Sequence, residues 1–93
     1  MYSYGEAFNL AVACKEYSQL LGLFRRAGQC VDDNGQSIDI CCVFDEALTE
    51  RSKKEVIEVA KQGGVEFKRK GQKELVVAAI VTALQGEFDG LAS

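Results

Sequence analysis

The chain has 93 residues, 47% of them hydrophobic, and a formal net charge of −3. This length and composition favour one domain with its own core and argue against disorder, which combines low hydrophobicity with high net charge. The chain contains no histidine, which excludes the commonest general base and the histidine-dependent nucleophile and zinc arrangements. We therefore expect no enzyme, no cofactor and no small-molecule substrate.

The sequence carries no membrane or export signal. Its longest apolar run, 75–84, is shorter than the ~20 residues that cross a bilayer, and the first residues lack the basic region of a signal peptide. We expect a cytoplasmic protein with reduced cysteines. Their spacing does not form the paired knuckles of zinc sites, so we expect no metal and small buried hydrophobic side chains instead: Cys14, Cys30, Cys41 and Cys42.

Residues 1–28 are predicted to form one long N-terminal helix. Ser3 and Glu6 have the spacing of a capping box, and Gly28 suits a left-handed C-terminal position. Apolar residues recur three and four apart on one stripe: Ala7, Leu10, Cys14, Tyr17, Leu21 and Phe24. This stripe fits either packing against the domain or self-association. The protein interface expected from it consists of Leu10, Tyr17, Leu21 and Phe24.

Residues 29–48 are predicted to contain a short hairpin or strand pair. The dipeptide Asn34-Gly35 is a strong signal for a type I′ turn, which would join residues 29–31 to residues 37–40. The acidic residues around this turn lack the spacing of a calcium loop, so we expect no calcium site.

Residues 37–48 fit two kinds of secondary structure. An alternating apolar set favours a strand: Ile38, Ile40, Cys42 and Phe44. Another apolar set fits one face of a helix that Ser37 would cap: Ile40, Cys41, Phe44, Ala47 and Leu48. We predict a strand through about Val43, followed by a helical turn.

Residues 49–86 are predicted to form two helices joined by an extended segment. Ser52-x-x-Glu55 is a second capping box, and the helix after it stops at Gly63-Gly64. Residues 65–69 alternate as an extended segment. The last helix, 72–86, is apolar on almost every side and must be buried on more than one of them.

Together these elements predict a single α+β domain that is mostly helical. It would contain a long N-terminal helix, a short strand pair and two C-terminal helices joined by the extended segment. A β-α-β-α arrangement, with strands at 38–43 and 65–69 side by side, fits the same pattern. In that arrangement the basic residues near 68–70 would protect a sheet edge.

Charge is segregated along the chain. Residues 1–50 carry three basic and eight acidic side chains, a net charge of −5, whereas residues 51–73 carry eight basic and three acidic ones, a net charge of +5. A solvated surface is the ordinary explanation of such a run. The functional interpretation is contact with nucleic-acid phosphates through Lys53, Lys54, Lys61, Lys68, Arg69, Lys70 and Lys73.

Residues 52–84 resemble the helix–extension–helix modules of the SAP, Rho-N and LEM-like group. The resemblance rests on the capped helix Ser52-Lys53-Lys54-Glu55-Val56-Ile57, then Ala60 and Gly64-Val65, and on Gly71-Gln72-Lys73-Glu74-Leu75-Val76 with Ile80. Members of that group commonly bind DNA or RNA or dock proteins. The resemblance therefore implies a helix–extension–helix fold in this part of the chain and one of those two roles.

We expect a non-enzymatic binding module that associates with nucleic acid. The alternative is a protein–protein interaction factor, such as an inhibitor, adaptor or oligomer subunit, a role common among small phage and accessory proteins. It would use the helix of residues 1–28 together with the acidic first half of the chain, which could mimic a nucleic acid.

Overall fold

A computed structural model describes residues 2–28, 30–68 and 70–92, with side chains described as far as Glu87. These residues form five helices and three short strands: β1 (Tyr2–Ser3), α1 (Tyr4–Ala13), α2 (Tyr17–Arg26), β2 (Cys30–Val31), β3 (Ser37–Ile38), α3 (Ile40–Thr49), α4 (Lys53–Gln62) and α5 (Lys73–Ala92). The predicted class, a mostly helical α+β fold, is confirmed.

Helix α5 is the centre of the packing. It contacts α2, α3 and α4, while α1 packs on α3. The prediction that this helix is buried on more than one side is confirmed, because three other helices pack against it. Its buried side chains include five that belong to the core: Val76, Val77, Ile80, Val81 and Leu84. All five helices contribute to one hydrophobic core, in which Phe24 and Phe44 meet edge to face with ring centroids 5.2 Å apart.

The end predicted for this last helix is wrong. The helix continues through Gly86 to Ala92, because glycine within a helix costs only about 1 kcal/mol relative to alanine and does not by itself end one. No helix in the described part of the chain is long and apolar enough to cross a membrane.

The single helix predicted for residues 1–28 is also wrong, because the chain forms two helices separated by a junction at residues 14–16. A continuous helix would bond the N–H groups of Lys15 and Glu16 to the carbonyls four residues earlier. Instead, the Oε1 atom of Gln19 accepts from both N–H groups, at 2.8 and 3.2 Å. The carbonyls that these N–H groups would have used belong to Ala11 and Val12, and they accept hydrogen bonds from the side chain of Arg51 instead.

The predicted hairpin is confirmed, with a different turn. Strands β2 and β3 pair antiparallel, but Asn34 does not take the positive φ of a type I′ turn, and only Gly35 in this loop does, at 77°. The carbonyl of Asp32 accepts from the N–H of Gly35 at 3.0 Å, which gives the three-residue loop with a left-handed glycine. Asp32 favours this form because its Oδ1 also accepts from the N–H groups of Asn34 and Gln36.

Strand β1 was not predicted. It pairs parallel with β2, so that Tyr2 lies opposite Cys30 and the described sheet has the order β1-β2-β3. A two-residue strand is too short to show an alternating pattern, and helix α1 begins directly after it, capped by Ser3.

The strand predicted through Val43 is wrong beyond Ile38, since residues 40–49 form helix α3. The cap is Asp39 rather than Ser37, and its Oδ1 accepts from the N–H of Cys41 at 2.9 Å. The helical apolar set identifies the buried face, apart from Cys41, which is half-buried, and Val43, which lies in the core. The β-α-β-α alternative is wrong as well, because residues 65–68 form no strand.

The region from Ser52 to α5 follows the prediction closely. Ser52 caps α4 by accepting from the N–H of Glu55 at 3.3 Å, and Gly64 takes the left-handed conformation after its end, at φ 65°. In the connecting segment Val65 and Phe67 are half-buried against the core, whereas the residues that follow each of them are exposed. This alternation is the one expected of an extended segment.

Helices α4 and α5 run in the same direction. At one end, Lys73 at the start of α5 donates from Nζ to the carbonyl of Thr49, shortly before α4, at 2.7 Å. Further along, Tyr17 connects the two helices: its N–H donates to Oε1 of Gln62 and its hydroxyl to Oε2 of Glu87, both at 3.0 Å. The chain between the two helices therefore returns from the end of α4 towards the level of its start.

Candidate nucleic-acid interface

Two of the eight basic side chains in residues 51–73 donate hydrogen bonds to backbone carbonyls at the C-terminal ends of helices. The side chain of Arg51 is only 8% exposed, and its Nη2 donates to the carbonyls of Ala11 and Val12 at 3.1 and 2.7 Å. Lys73 does the same at the C-terminal end of α3, through Thr49. Cations are favoured at such ends because the carbonyls there are unpaired and the helix dipole is negative.

The structure therefore divides the basic residues predicted to contact phosphates. Lys73 is half-buried and committed to Thr49, and Arg69 lies outside the described residues. The other five are exposed and make no ion pair within the described part of the chain: Lys53, Lys54, Lys61, Lys68 and Lys70. We call these five residues the lysine edge.

Helix α4 carries three members of the lysine edge. Lys54 and Lys61 are seven residues apart, which is close to two helical turns and places them on the same side. Glu58 lies between them on that side, since it is four residues after Lys54 and three before Lys61. The buried face of the helix fixes its orientation: Val56, Val59 and Ala60.

The last two members of the lysine edge, Lys68 and Lys70, lie on the segment between α4 and α5. They belong to a tight turn just before α5, in which the N–H of Gly71 donates to the carbonyl of Lys68 at 2.9 Å. An added Cβ on Gly71 would lie 3.1 Å from that carbonyl oxygen, so glycine fits this turn best. The edge thus combines exposed residues of a helix with exposed residues of the segment that follows it.

The protein interface predicted from the first helix does not lie on the surface as a unit. Tyr17 and Phe24 are 7% and 2% exposed and belong to the core. Leu21 is half-buried, and only Leu10 is open to solvent, at 42%. The junction at 14–16 turns the second half of the stripe inward, so this residue set is not brought together for a partner.

Two of the four cysteines have thiols that burial makes harder to ionise. Burial raises the pKa of the Cys14 thiol, against the opposing effect of Arg51 and Arg26, and burial also raises the pKa of Cys30. A raised pKa keeps a thiol protonated and poorly nucleophilic. Within the described residues no three cysteine or carboxylate side chains come together as metal ligands.

Sequence reasoning missed one surface feature. Leu75 is 59% exposed on α5, on a helix that was expected to be buried on more than one side. The pattern of the helix contained the signal, since apolar residues that surround a helix exceed what one core can cover in so small a domain.

Comparison with known proteins gives no relative from which a role could be transferred. The chain matches no protein-family model, and neither a curated protein nor a solved structure shows significant similarity to it.

Proposed function

We propose that this protein is a non-enzymatic module that binds the phosphate backbone of nucleic acids through its lysine edge. The observation that carries the proposal is the exposure of five lysines over a short stretch of a chain whose total charge is negative. Side chains of this kind contact phosphates without reading bases, and they release counterions when they bind.

The local fold supports the same proposal. Two helices joined by an extended segment are the arrangement that the resemblance to helix–extension–helix modules implies. The lysine edge takes three exposed residues from α4 and two from the segment that follows it, and it is interrupted on α4 by Glu58, which helical spacing places between Lys54 and Lys61.

The four residues first predicted to form a protein interface do not support the alternative role in protein–protein contact. Tyr17 and Phe24 are core residues, and a partner could reach them only if the domain unfolded.

The test is a fluorescence-anisotropy titration with short labelled double-stranded DNA and single-stranded RNA at several salt concentrations. We expect weak, sequence-independent binding, with Kd in the range of about 10⁻⁴ to 10⁻⁶ M that is typical of nonspecific contacts. The logarithm of the binding constant should fall linearly with the logarithm of the salt concentration, by ~0.9 per phosphate contact on duplex DNA.

A matched pair of triple variants locates the contact. The first reverses Lys54, Lys61 and Lys68 to glutamate, and the second reverses Lys15, Arg25 and Arg26, which are also exposed and give the same change in net charge. We expect the first variant to lose binding and salt dependence and the second to keep most of both. Equal losses in the two variants would show attraction by total charge only and would contradict the lysine edge.

A further inference from the structure

A groove of about 430 Å³ between α1 and α3 has one aromatic wall and one acidic wall. Tyr4 and Phe8 form the aromatic wall, four residues apart on α1, and their rings stack with centroids 5.9 Å apart. Both side chains are half-buried, so part of each stays open to solvent. Helix α3 contributes three exposed carboxylates to the other wall: Asp45, Glu46 and Glu50. Aromatic faces and carboxylates both attract organic cations, so this groove favours a lysine or arginine side chain.

No basic side chain of α1 or α3 neutralises this groove. Residues 1–14 and 29–50 contain no lysine or arginine, and the three carboxylates make no ion pair within the described part of the chain. Lys73 reaches α3 from the start of α5, but its Nζ is bonded to the carbonyl of Thr49 and it does not line the groove. The acidic wall therefore keeps its negative charge.

The groove continues along α1 into a second part of about 390 Å³, and Glu50 lines both parts. Val12 follows Phe8 by four residues and so extends the same side of α1. The second part also has two exposed carboxylates of α4 and one exposed lysine: Glu55, Glu58 and Lys15. Lys53 and Lys54 begin α4 but line neither part. Over both parts, five carboxylates and two basic side chains line what we call the α1 groove.

Arg51 is the second basic side chain of the α1 groove, and one of its donors has no acceptor. The side chain is only 8% exposed and lines the second part. Its Nη2 is bonded to two carbonyls of α1, whereas its buried Nε has no hydrogen-bond partner within the described residues. A buried N–H without an acceptor is unfavourable, so this part favours a ligand that brings an oxygen atom. The carboxylates of Glu55 and Glu58 beside it oppose an anion, which leaves a neutral carbonyl.

We propose that the α1 groove binds an extended, basic peptide segment of another protein. A lysine or arginine side chain of the segment lies against Tyr4 and Phe8 beside the carboxylates of α3, and a backbone carbonyl of the segment accepts from Nε of Arg51. From Tyr4 to Val12 the groove runs about 12 Å at ~1.5 Å per residue, the length of roughly four extended residues. A peptide carries both groups, whereas a polyamine has no carbonyl and a nucleic acid has the wrong charge.

A second folded copy of this chain does not offer such a segment. Residues 1–14 and 74–93 contain no lysine or arginine. The basic segment between α4 and α5 is fixed to its own domain, because Val65 and Phe67 pack against the core and the carbonyl of Lys68 is bonded to the N–H of Gly71. The occupant is therefore a different protein, and the inference goes beyond the proposed binding of nucleic acid.

The probe is a labelled peptide of about eight residues in which lysine alternates with serine, with both termini capped. A second peptide carries glutamate in place of each lysine, and a linear tetraamine supplies the same positive charge without a carbonyl. Anisotropy titrations at about 0.1 M salt, where charges more than ~10 Å apart are screened, use the full chain and its variants. Circular dichroism and thermal melts establish that each variant is folded.

Two matched double variants locate the contact. Glu46→Lys combined with Glu50→Lys reverses the acidic wall, whereas Asp33→Lys combined with Glu74→Lys makes the same change in net charge at exposed positions outside the groove. We expect saturable binding of the lysine peptide, weakened about tenfold or more by the first pair and about threefold or less by the second. Equal losses would show attraction by total charge only and would overturn the proposal, as would failure of the lysine peptide to bind.

Three further measurements test the other parts of the proposal. Phe8→Leu keeps an apolar side chain and removes a ring, so it should weaken the lysine peptide about two- to fivefold, and an unchanged affinity would contradict the aromatic wall. The tetraamine should compete poorly, and competition equal to that of the unlabelled lysine peptide would contradict the carbonyl contact at Arg51. In sedimentation of the chain alone, a dimer that the Glu46 and Glu50 reversals dissociate would show a second copy in the groove and would overturn a heterologous partner.

Discussion

Two of the helix junctions of this protein are held in different ways. The junction between α1 and α2, at residues 14–16, has one local side chain, Gln19, on its N–H groups. It depends besides on two groups that are distant in sequence, with Arg51 on the carbonyls of α1 and Gln62 on the first N–H of α2. The junction between α4 and α5, at residues 63–72, is closed by its own neighbours through short-range backbone hydrogen bonds. A junction that depends on distant residues forms only when the rest of the domain is folded, whereas a junction with local hydrogen bonds is determined by its own sequence.

The two junctions meet at one contact. The ring of Tyr17, at the start of α2, lies directly on Gly63, at the end of α4. The N–H of Tyr17 is bonded to Gln62 and its hydroxyl to Glu87 on α5. Tyr17 therefore links the junction at 14–16 to the junction at 63–72. Substitutions around Tyr17 measure how much each junction contributes to the stability of the fold.

The largest effect is expected from Arg51→Met, which keeps an apolar stem and removes the donors to Ala11 and Val12. Hydrogen bonds from charged groups contribute about 1.5–3 kcal/mol each, and a buried carbonyl left unpaired adds a penalty. We expect the free energy of unfolding to fall by about 3 kcal/mol, measured by urea denaturation followed by circular dichroism.

The control for this substitution is Lys54→Met, which removes the same charge from an exposed position of α4. Its effect should stay within about 0.5 kcal/mol, as is usual for surface sites. If Arg51→Met were no more destabilising than Lys54→Met, then the junction at 14–16 would not depend on the remote cation and the contrast drawn between the two junctions would fail.

The next effect is expected from Gly63→Ala, at the contact between the junctions. The backbone of Gly63 has φ −85°, which alanine adopts readily, but its Cβ would lie 2.5 Å from a ring carbon of the buried Tyr17. We expect a loss of about 2 kcal/mol, in the range of overpacked cores, measured in the same denaturation assay.

Gly86→Ala is the matched control for that variant, since its added Cβ meets nothing. Within α5 it should stabilise the protein by about 0.5–1 kcal/mol through better helix propensity. Opposite signs for the two glycine substitutions would confirm that Tyr17 sits on Gly63. A neutral result at Gly63 would mean that the ring moves away freely, so that the contact does not couple the junctions.

The same contrast explains how far the sequence predicts the structure. Ser52, Glu55 and the glycine pair at 63–64 act within a few residues of each other, so their pattern correctly predicts α4 and its end. Near residues 14–16 only Gln19, three residues after Glu16, marks the start of a second helix, and the other groups that hold the break lie at positions 51 and 62. The apolar period across that stretch is unbroken and predicts one helix.

The candidate site follows the same rule. Composition correctly locates a run of basic residues, but it treats all of them as equivalent. Only the packed structure separates Arg51 and Lys73, which bond to helix carbonyls, from the exposed lysine edge. In residues 37–48 the strand is only two residues long, and Asp39 caps the helix that follows it by accepting from the N–H of Cys41.

The smallest effect, and the one with a pH signature, is expected from Tyr17→Phe. Loss of the hydrogen bond to Glu87 should cost about 1 kcal/mol near neutral pH. Burial, then the hydrogen bond to Glu87 and its charge, raises the pKa of Tyr17 to about 12 in the folded protein, against about 10 in an unfolded chain. The neutral phenol thus contributes stability that is complete below about pH 10 and is lost as the pH rises towards 12.

Denaturation of the native chain and of Tyr17→Phe between pH 8 and pH 11.5 isolates this contribution, because the two proteins differ only in the Tyr17 hydroxyl. The advantage of the native chain should be constant up to about pH 10 and then shrink. Tyr2→Phe, which removes a half-buried hydroxyl with no hydrogen bond to the described residues, should produce no such change. An advantage of Tyr17 that persists unchanged to pH 11.5 would mean that its hydroxyl is solvated rather than held against α5, and the link between the two junctions would then rest on Gln62 and Gly63 alone.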